Sequence, residues 1–116
     1  MTRTVTLSVA TRQDANRRLR AAFEGKAQGA HIVFDSADLI WKVLTARRWE
    51  ILRTMTGAGP FGLREVARRV GRDVKGVHGD VHALLDAGVI DRQENGGFVF
   101  PYDRVRVEFT FDRDAA

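Results

Sequence analysis

The fold is indicated most clearly by residues 61–85, which read FGLREVARRVGRDVKGVHGDVHALL. Apolar residues in this stretch recur at spacings of three and four, which is typical of amphipathic helices. One apolar face comprises Leu63, Val66, Ala67 and Val70, and a second comprises Val74, Val77, Val81, Leu84 and Leu85. Because Gly71-Arg72-Asp73 separates the two faces, the pattern predicts two helices joined by a sharp turn.

Residues around this turn favour a helix-turn-helix motif. Two helices that cross steeply need a small residue at their contact, a residue free to turn, and an apolar wedge from the second helix. Ala67, Gly71 and Val77 supply these features in that order. Asp73 stands where the N-cap of the second helix is expected.

The residues after the motif predict a β-hairpin. Gly88 is placed to end the second helix, and Asn95-Gly96 is a strong turn signal between two apolar segments. A helix-turn-helix followed by a hairpin is a winged helix. We therefore expect a winged helix-turn-helix domain over residues 35–102.

Two more helices are expected before the motif. Asp35 or Ser36 caps the first of them, and Thr45 caps the second. Four aromatic residues at helical and hairpin spacings are predicted to belong to the core, namely Trp41, Trp49, Phe61 and Phe98.

Segments with the alternation of β-strands flank this domain. A strand near the N-terminus precedes a basic helix that starts at Thr11, and residues 31–34 predict a second strand. The alternating apolar positions are Val5, Leu7 and Val9 at one end and Val105, Val107, Phe109 and Phe111 at the other, and the basic helix has a thin apolar face of Ala15, Leu19, Ala22 and Phe23. The predicted fold class is therefore α+β. An N-terminal arm for dimerisation or partner binding covers residues 1–34, and a C-terminal strand with an acidic tail covers residues 103–116.

Composition excludes several classes of protein. A chain of 116 residues with 44% hydrophobic and 29% charged residues has the size and balance of one globular domain. The absence of cysteine excludes disulfide scaffolds, thiolate zinc sites, iron–sulfur clusters and cysteine nucleophiles. No apolar run approaches the ~20 residues that span a bilayer, and the N-terminus lacks the pattern of a signal peptide. We expect a cytoplasmic protein that is neither exported nor inserted in a membrane.

The charge distribution points to double-stranded DNA as a partner. The net charge is +4, and the pI of about 10.3 reflects cations that are mostly arginine, which suits phosphate and guanine contacts. The arm and the middle of the chain are basic, whereas the tail is acidic. Residues predicted to hold phosphates are Arg64, Arg68, Arg69 and Arg72, those predicted to face bases are Lys75, His78, Gly79 and His82, and Arg92 is placed near the wing.

A metal site and an acid–base site are less well supported by the sequence than DNA binding. His78, His82 and Asp86 share one helix face, but two histidines without a certain third ligand favour exposed polar residues over a metal site. The carboxylates Asp103, Glu108, Asp112 and Asp114 are expected to form a solvated face instead of an acid–base pair. No phosphate-binding loop, nucleophile elbow or zinc-hydrolase motif is present. The sequence therefore predicts no enzyme, no cofactor and no metal.

The segment from Val33 to Phe109 resembles a family of small prokaryotic winged-helix proteins. The matching residues are Phe34-Asp35-Ser36, Val43-Leu44-Thr45 with Arg47-Arg48, residues 63–73, Val77-His78, Asp80-Val81, Pro101-Tyr102-Asp103 and Val107-Glu108-Phe109. The resemblance implies a transcriptional regulator, similar in form to regulators of the multiple-antibiotic-resistance type. Some members resemble antitoxins, which implies the alternative of a protein-interaction module that neutralises a cognate toxin. An overlapping small neighbouring gene would favour that alternative.

This chain departs from the family pattern on the second helix of the motif. Gly76 and Gly79 stand where relatives commonly carry polar or basic side chains. Either the backbone approaches DNA closely here, or base contacts have moved to the neighbouring side chains and the wing.

A homodimer is predicted from the flanking strands. Their apolar faces are additional to the core of the winged helix, and such faces invite pairing with another chain. The alternative is that the strands fold back within one chain to form a local sheet.

Overall fold

The computed structural model describes residues 3–10, 16, 19–20 and 30–110. The helices with described bounds are α1 (Ala37–Val43), α2 (Ala46–Met55), α3 (Leu63–Val70) and α4 (Val74–Asp86). The strands are β1 (Thr4–Val9), β2 (Ala30–Phe34), β3 (Asp91–Arg92), β4 (Phe98–Val99) and β5 (Arg104–Glu108). The predicted α+β class is confirmed.

Three of the described helices begin at side-chain caps that the sequence predicts. Ser36, and not Asp35, caps α1, since its Oγ accepts a hydrogen bond from the Leu39 amide at 3.1 Å. The Thr45 hydroxyl accepts from the Arg48 amide at the start of α2. Asp73 caps α4. Each cap satisfies an amide that the helix itself leaves unpaired.

The turn between α3 and α4 rests on Gly71. This residue adopts the left-handed conformation with φ of 69°, which a residue with a Cβ adopts only at a cost. The Arg72 amide then donates to the Ala67 carbonyl at 3.0 Å and closes the end of α3. Ala67 and Val77 are buried where the two helices pack, as predicted.

The predicted hairpin is formed by β3 and β4, which pair antiparallel. Its loop runs over residues 93–97 and is longer than a two-residue Asn-Gly turn. Gly96 has φ of 87°, whereas Asn95 has none of the positive φ that such a turn needs. Phe61 adds a further bridge, because its amide and carbonyl both bond to Phe98.

The three longer strands form one parallel sheet in the order β2-β1-β5. Leu7 lies between Ile32 and Val107 in the register, and Val5 between Ala30 and Val105. The side chains of Val5 and Leu7 are completely buried. β1 and β5 therefore pair within one chain, which is the alternative to a dimer built through the strands. The homodimer stays a prediction.

The core lies between this sheet and the helices. Its largest fully buried side chains include Leu7, Ile40, Ile51, Leu52, Leu84, Ile90 and Phe100. Of the aromatic residues assigned to the core, Phe98 is buried, and Trp49 and Phe61 are partly buried. The assignment of Trp41 is wrong, since this side chain is 50% exposed. Helix α1 has seven residues and buries only Ile40, so the next residue along the helix points away from the core.

Several predictions fall outside the described residues. Of the N-terminal basic helix, Asn16, Leu19 and Arg20 are described, and they are helical and exposed. Phe111, Asp112, Asp114 and the remaining apolar positions of that helix lie outside. Among the described residues, no helix combines the length and apolar character that crossing a membrane requires.

Candidate nucleic-acid interface

The first two turns of α4 form an exposed surface. The Asp73 side chain caps the helix by accepting from the Gly76 amide at 3.1 Å. Val77, Val81 and Leu84 are buried on one side of the helix. The side chains that remain exposed near its start are Val74, Lys75 and His78, together with Gly76 and Gly79. The buried side therefore fixes the helix on the core, and its N-terminal residues face solvent.

Asp80 fixes the position of α4 through two arginines. Its Oδ2 accepts from Arg72 Nη2 at 2.8 Å, and its Oδ1 accepts from Arg48 Nε at 3.0 Å. Arg48 Nη1 also donates to the Val43 carbonyl at 3.0 Å. These contacts join the end of α1, the start of α2, the turn and the middle of α4.

Arg72 therefore has a defined structural role. Its side chain is 18% exposed and is paired with Asp80, so its charge is largely matched within the chain. Phosphate binding by Arg72 stays a prediction, but the geometry turns its guanidinium toward α4.

Arg68 and Arg69 share one carboxylate. Glu65 accepts from Arg68 through both carboxylate oxygens and from Arg69 Nε at 2.8 Å. Hydrogen bonds from these two guanidiniums lower the pKa of Glu65 to about 2. Arg69 also lies over the Phe61 ring, 4.3 Å from its centroid. The cluster exposes two cations and one anion on the surface of α3.

Arg64 and Lys75 are exposed on α3 and α4 respectively. Among the described residues, no carboxylate pairs with either side chain. They are therefore the cations of this region best able to take an external anion.

The two histidines of α4 form a stacked pair that reaches the hairpin. The ring centroids of His78 and His82 are 4.1 Å apart, and His82 Nδ1 lies 2.9 Å from the His78 carbonyl oxygen, to which it donates. The His82 ring also meets Phe98 edge-on at 6.0 Å. The Arg92 guanidinium lies over the Phe98 ring, with its Cζ 5.5 Å from the ring centroid. His82, Phe98 and Arg92 thus connect α4 to β3 and β4.

The two glycines of α4 differ in their surroundings. A Cβ at Gly76 would lie 2.9 Å from Asp73 Oδ1 and 3.4 Å from Arg72 Nη2. Contacts within the chain therefore account for glycine at position 76, since the side chains of Asp73 and Arg72 occupy the space of a Cβ. At Gly79 a Cβ would meet nothing within 4 Å.

Replacing Gly79 with alanine is expected to stabilise the protein by about 0.5–1 kcal/mol, because glycine is costly in a helix interior. Gly76→Ala is the matched control, and it should bring no such gain because it disturbs the cap. Chemical denaturation of the two variants measures the difference. Equal stabilisation by both substitutions would contradict the assigned packing around Gly76.

The acidic residues and histidines that the structure describes show no arrangement suited to a metal ion. Across the described ranges, no group of three such side chains could hold one. Asp103 instead accepts from the Arg3 amide at 2.9 Å, and Glu108 pairs with Arg106 at 3.1 Å.

Sequence reasoning missed the role of Asp80 and Arg48. Asp80 is the one acidic residue between Val74 and Ala83, and an isolated carboxylate within a basic segment is a signal that could have indicated a local ion pair.

Comparison with known proteins gives one family match. A family model described as HVO_A0114 matches residues 43–107, a span that covers more than half of the chain and contains α2, α3, α4 and the hairpin. No curated protein and no solved structure matches the chain.

Proposed function

The chain belongs to the HVO_A0114 family, and we propose that it is a DNA-binding transcriptional regulator that binds duplex DNA as a homodimer through a winged helix-turn-helix. The observation that carries the proposal is the exposed start of α4. Lys75, His78 and Gly79 lie there on a helix whose other side is buried, next to the arginines of α3. A basic surface centred on one exposed helix is the electrostatic footprint of a DNA reader.

In this proposal α4 enters the major groove. A major groove about 12 Å wide admits one helix, whose N-terminal residues reach the base edges. Lys75, His78 and His82 then face bases. Arg64 and the Arg68–Arg69 pair lie on α3, which crosses the backbone in this geometry, so they contact phosphates. The hairpin is the wing, and Arg92 is its exposed cation.

The paired carboxylates reduce the number of cations available to DNA. Asp80 holds Arg72 in a largely buried ion pair that it shares with Arg48, and Glu65 offsets one of the two charges of Arg68 and Arg69. With Arg64 and Lys75, the net supply from this surface is about three positive charges per copy. Counterion release then governs the salt dependence of binding.

We expect the logarithm of the affinity for duplex DNA to fall with the logarithm of salt concentration at a slope of about −3 per copy. Between 50 and 200 mM salt this slope weakens binding roughly 60-fold per copy. Fluorescence anisotropy with labelled fragments of the source genome measures both quantities. An absence of binding at low salt, or an affinity independent of salt, would contradict the proposed function.

A further inference from the structure

Strand β5 and helix α1 expose a common apolar surface. Trp41, Val107 and Phe109 are 50%, 36% and 39% exposed, and the rings of Trp41 and Phe109 meet edge-on with centroids 5.6 Å apart. In the described part of the chain, β5 has a strand neighbour on one edge, β1. An edge strand with exposed apolar side chains is open to pairing with a further strand.

The side chains of β5 divide cleanly between its two faces. Val105 and Val107 pair in register with the buried Val5 and Leu7, so this face of β5 lies on the helix side of the sheet. Arg104, Arg106 and Glu108 alternate with them and lie on the opposite face.

We propose that a second copy of this chain pairs antiparallel with β5 about a two-fold axis at Val107. Residues equally far from Val107 then face each other across the two copies. Arg106 faces Glu108 of the other copy in both directions, and Val105 faces Phe109 in both directions. A cross-strand pair of opposite charges stabilises antiparallel strands, and so does a pair of an aromatic and a β-branched side chain.

Other registers of the same strand are less favourable. An axis at Arg106 or at Glu108 places two like charges directly on the axis. An axis at Val105 places Arg104 opposite Arg106. Like charges directly opposite each other destabilise a strand pair, so the Val107 axis is the register in which the charges are complementary. The outer strand β2 reads AHIVF and carries no carboxylate, so it offers no comparable complementarity.

A cavity beside β5 provides a place for an aromatic ring of the second copy. It has a volume of about 450 Å³ and is lined by Trp49, Leu52, Arg53, Thr56 and Val105. In the Val107 register, Phe109 of the second copy stands opposite Val105 at the edge of this cavity. The ring would bury apolar surface of the partly buried Trp49 that water now contacts. The pairing rests on the homodimer of the proposed function and supplies its interface, but it does not depend on DNA, so its failure leaves duplex binding by α4 to be tested separately.

Charge exchange tests the interface without DNA. Light scattering on the full chain at micromolar concentration should give twice the 13.0 kDa mass of one copy. The single variants Arg106→Glu and Glu108→Arg each place like charges opposite each other, so the dimer dissociation constant should rise at least about 10-fold. An equimolar mixture of the two variants restores opposite charges between copies, and the dimer should re-form.

The mixture separates pairing between copies from effects within one copy, because loss of the Arg106–Glu108 pair inside each chain is not repaired by mixing. Thermal unfolding of each variant confirms that it is folded. A native chain that stays monomeric, as expected if the strand edge serves a different protein, overturns the proposal. Single variants that remain dimeric, or a mixture that stays monomeric, overturn it as well.

Cross-linking tests the position of the axis. The chain contains no cysteine, so Val107→Cys introduces one thiol per copy, next to its own counterpart on the axis. Mild oxidation should yield a covalent dimer on a non-reducing gel. Val33→Cys on β2, at a comparably exposed valine, is the control and should stay monomeric. Cross-linking through position 33 and not through position 107 would overturn the proposal.

Discussion

Replacing Asp80 with alanine is expected to lower the free energy of unfolding by about 3 kcal/mol, the order seen when one partner of a largely buried ion pair is removed. The melting temperature should fall by roughly 10 °C or more. Asp80 is 17% exposed and accepts from both Arg72 and Arg48. Its removal leaves Arg72 partly buried without a counter-charge, and among the described residues Arg72 Nη1 already lacks a hydrogen-bond partner.

A matched control lies on the same helix. Asp86→Asn also removes one negative charge from α4, but Asp86 is exposed at the C-terminal end, where a carboxylate is unfavourable to the helix dipole. This variant should unfold at the temperature of the native chain or slightly above it. Equal melting temperatures for Asp80→Ala and the native chain would contradict the structural role of the ion pairs.

The same ion pairs predict how stability depends on pH. Burial raises the pKa of Asp80, but hydrogen bonds from Arg72 and Arg48 outweigh burial, and the pKa lies below its usual value. A carboxylate with a lowered pKa stabilises the fold above the unfolded pKa of about 3.9 and loses this contribution as pH falls toward the folded pKa. The stability difference between the native chain and Asp80→Asn should therefore shrink from pH 5 toward pH 2. Glu65 titrates in both proteins and cancels in the comparison.

The features that could be predicted from the sequence depend on residues close together in the chain. A cap needs a side chain and an amide three residues apart, as at Thr45 and Asp73. The turn needs a left-handed residue after α3, and Gly71 supplies it. Periodicity identified both helices of the motif because each buries one continuous face.

The features that could not be predicted depend on distant residues. Parallel pairing of β1 with β5 joins Leu7 to Val107, and alternation alone does not say whether such strands meet within one chain or between chains. Periodicity likewise could not tell that Trp41 lies outside the core. From the sequence alone, every arginine of the motif is expected to be available to DNA. Asp80, eight residues after Arg72, pairs with it and makes its charge less available.

Reversing the charge of Lys75 should separate DNA binding from folding. Lys75 is exposed in the first turn of α4, where an acidic residue interacts favourably with the helix dipole. Lys75→Glu should therefore leave stability unchanged or slightly raised. It should nevertheless weaken duplex binding by roughly 100-fold or more, because it removes a base or phosphate contact and adds repulsion at the groove.

Two further substitutions make this test specific to the surface of α3 and α4. Arg20→Glu makes the same change of net charge at an exposed position of the N-terminal helix, and it should weaken binding far less than Lys75→Glu. Glu65→Gln should strengthen binding, because it frees Arg68 and Arg69 for phosphates and steepens the salt slope by roughly one unit. Anisotropy titrations at several salt concentrations compare the three variants. If Arg20→Glu and Lys75→Glu weaken binding equally, net charge and not the exposed start of α4 determines affinity, and the assigned surface is wrong.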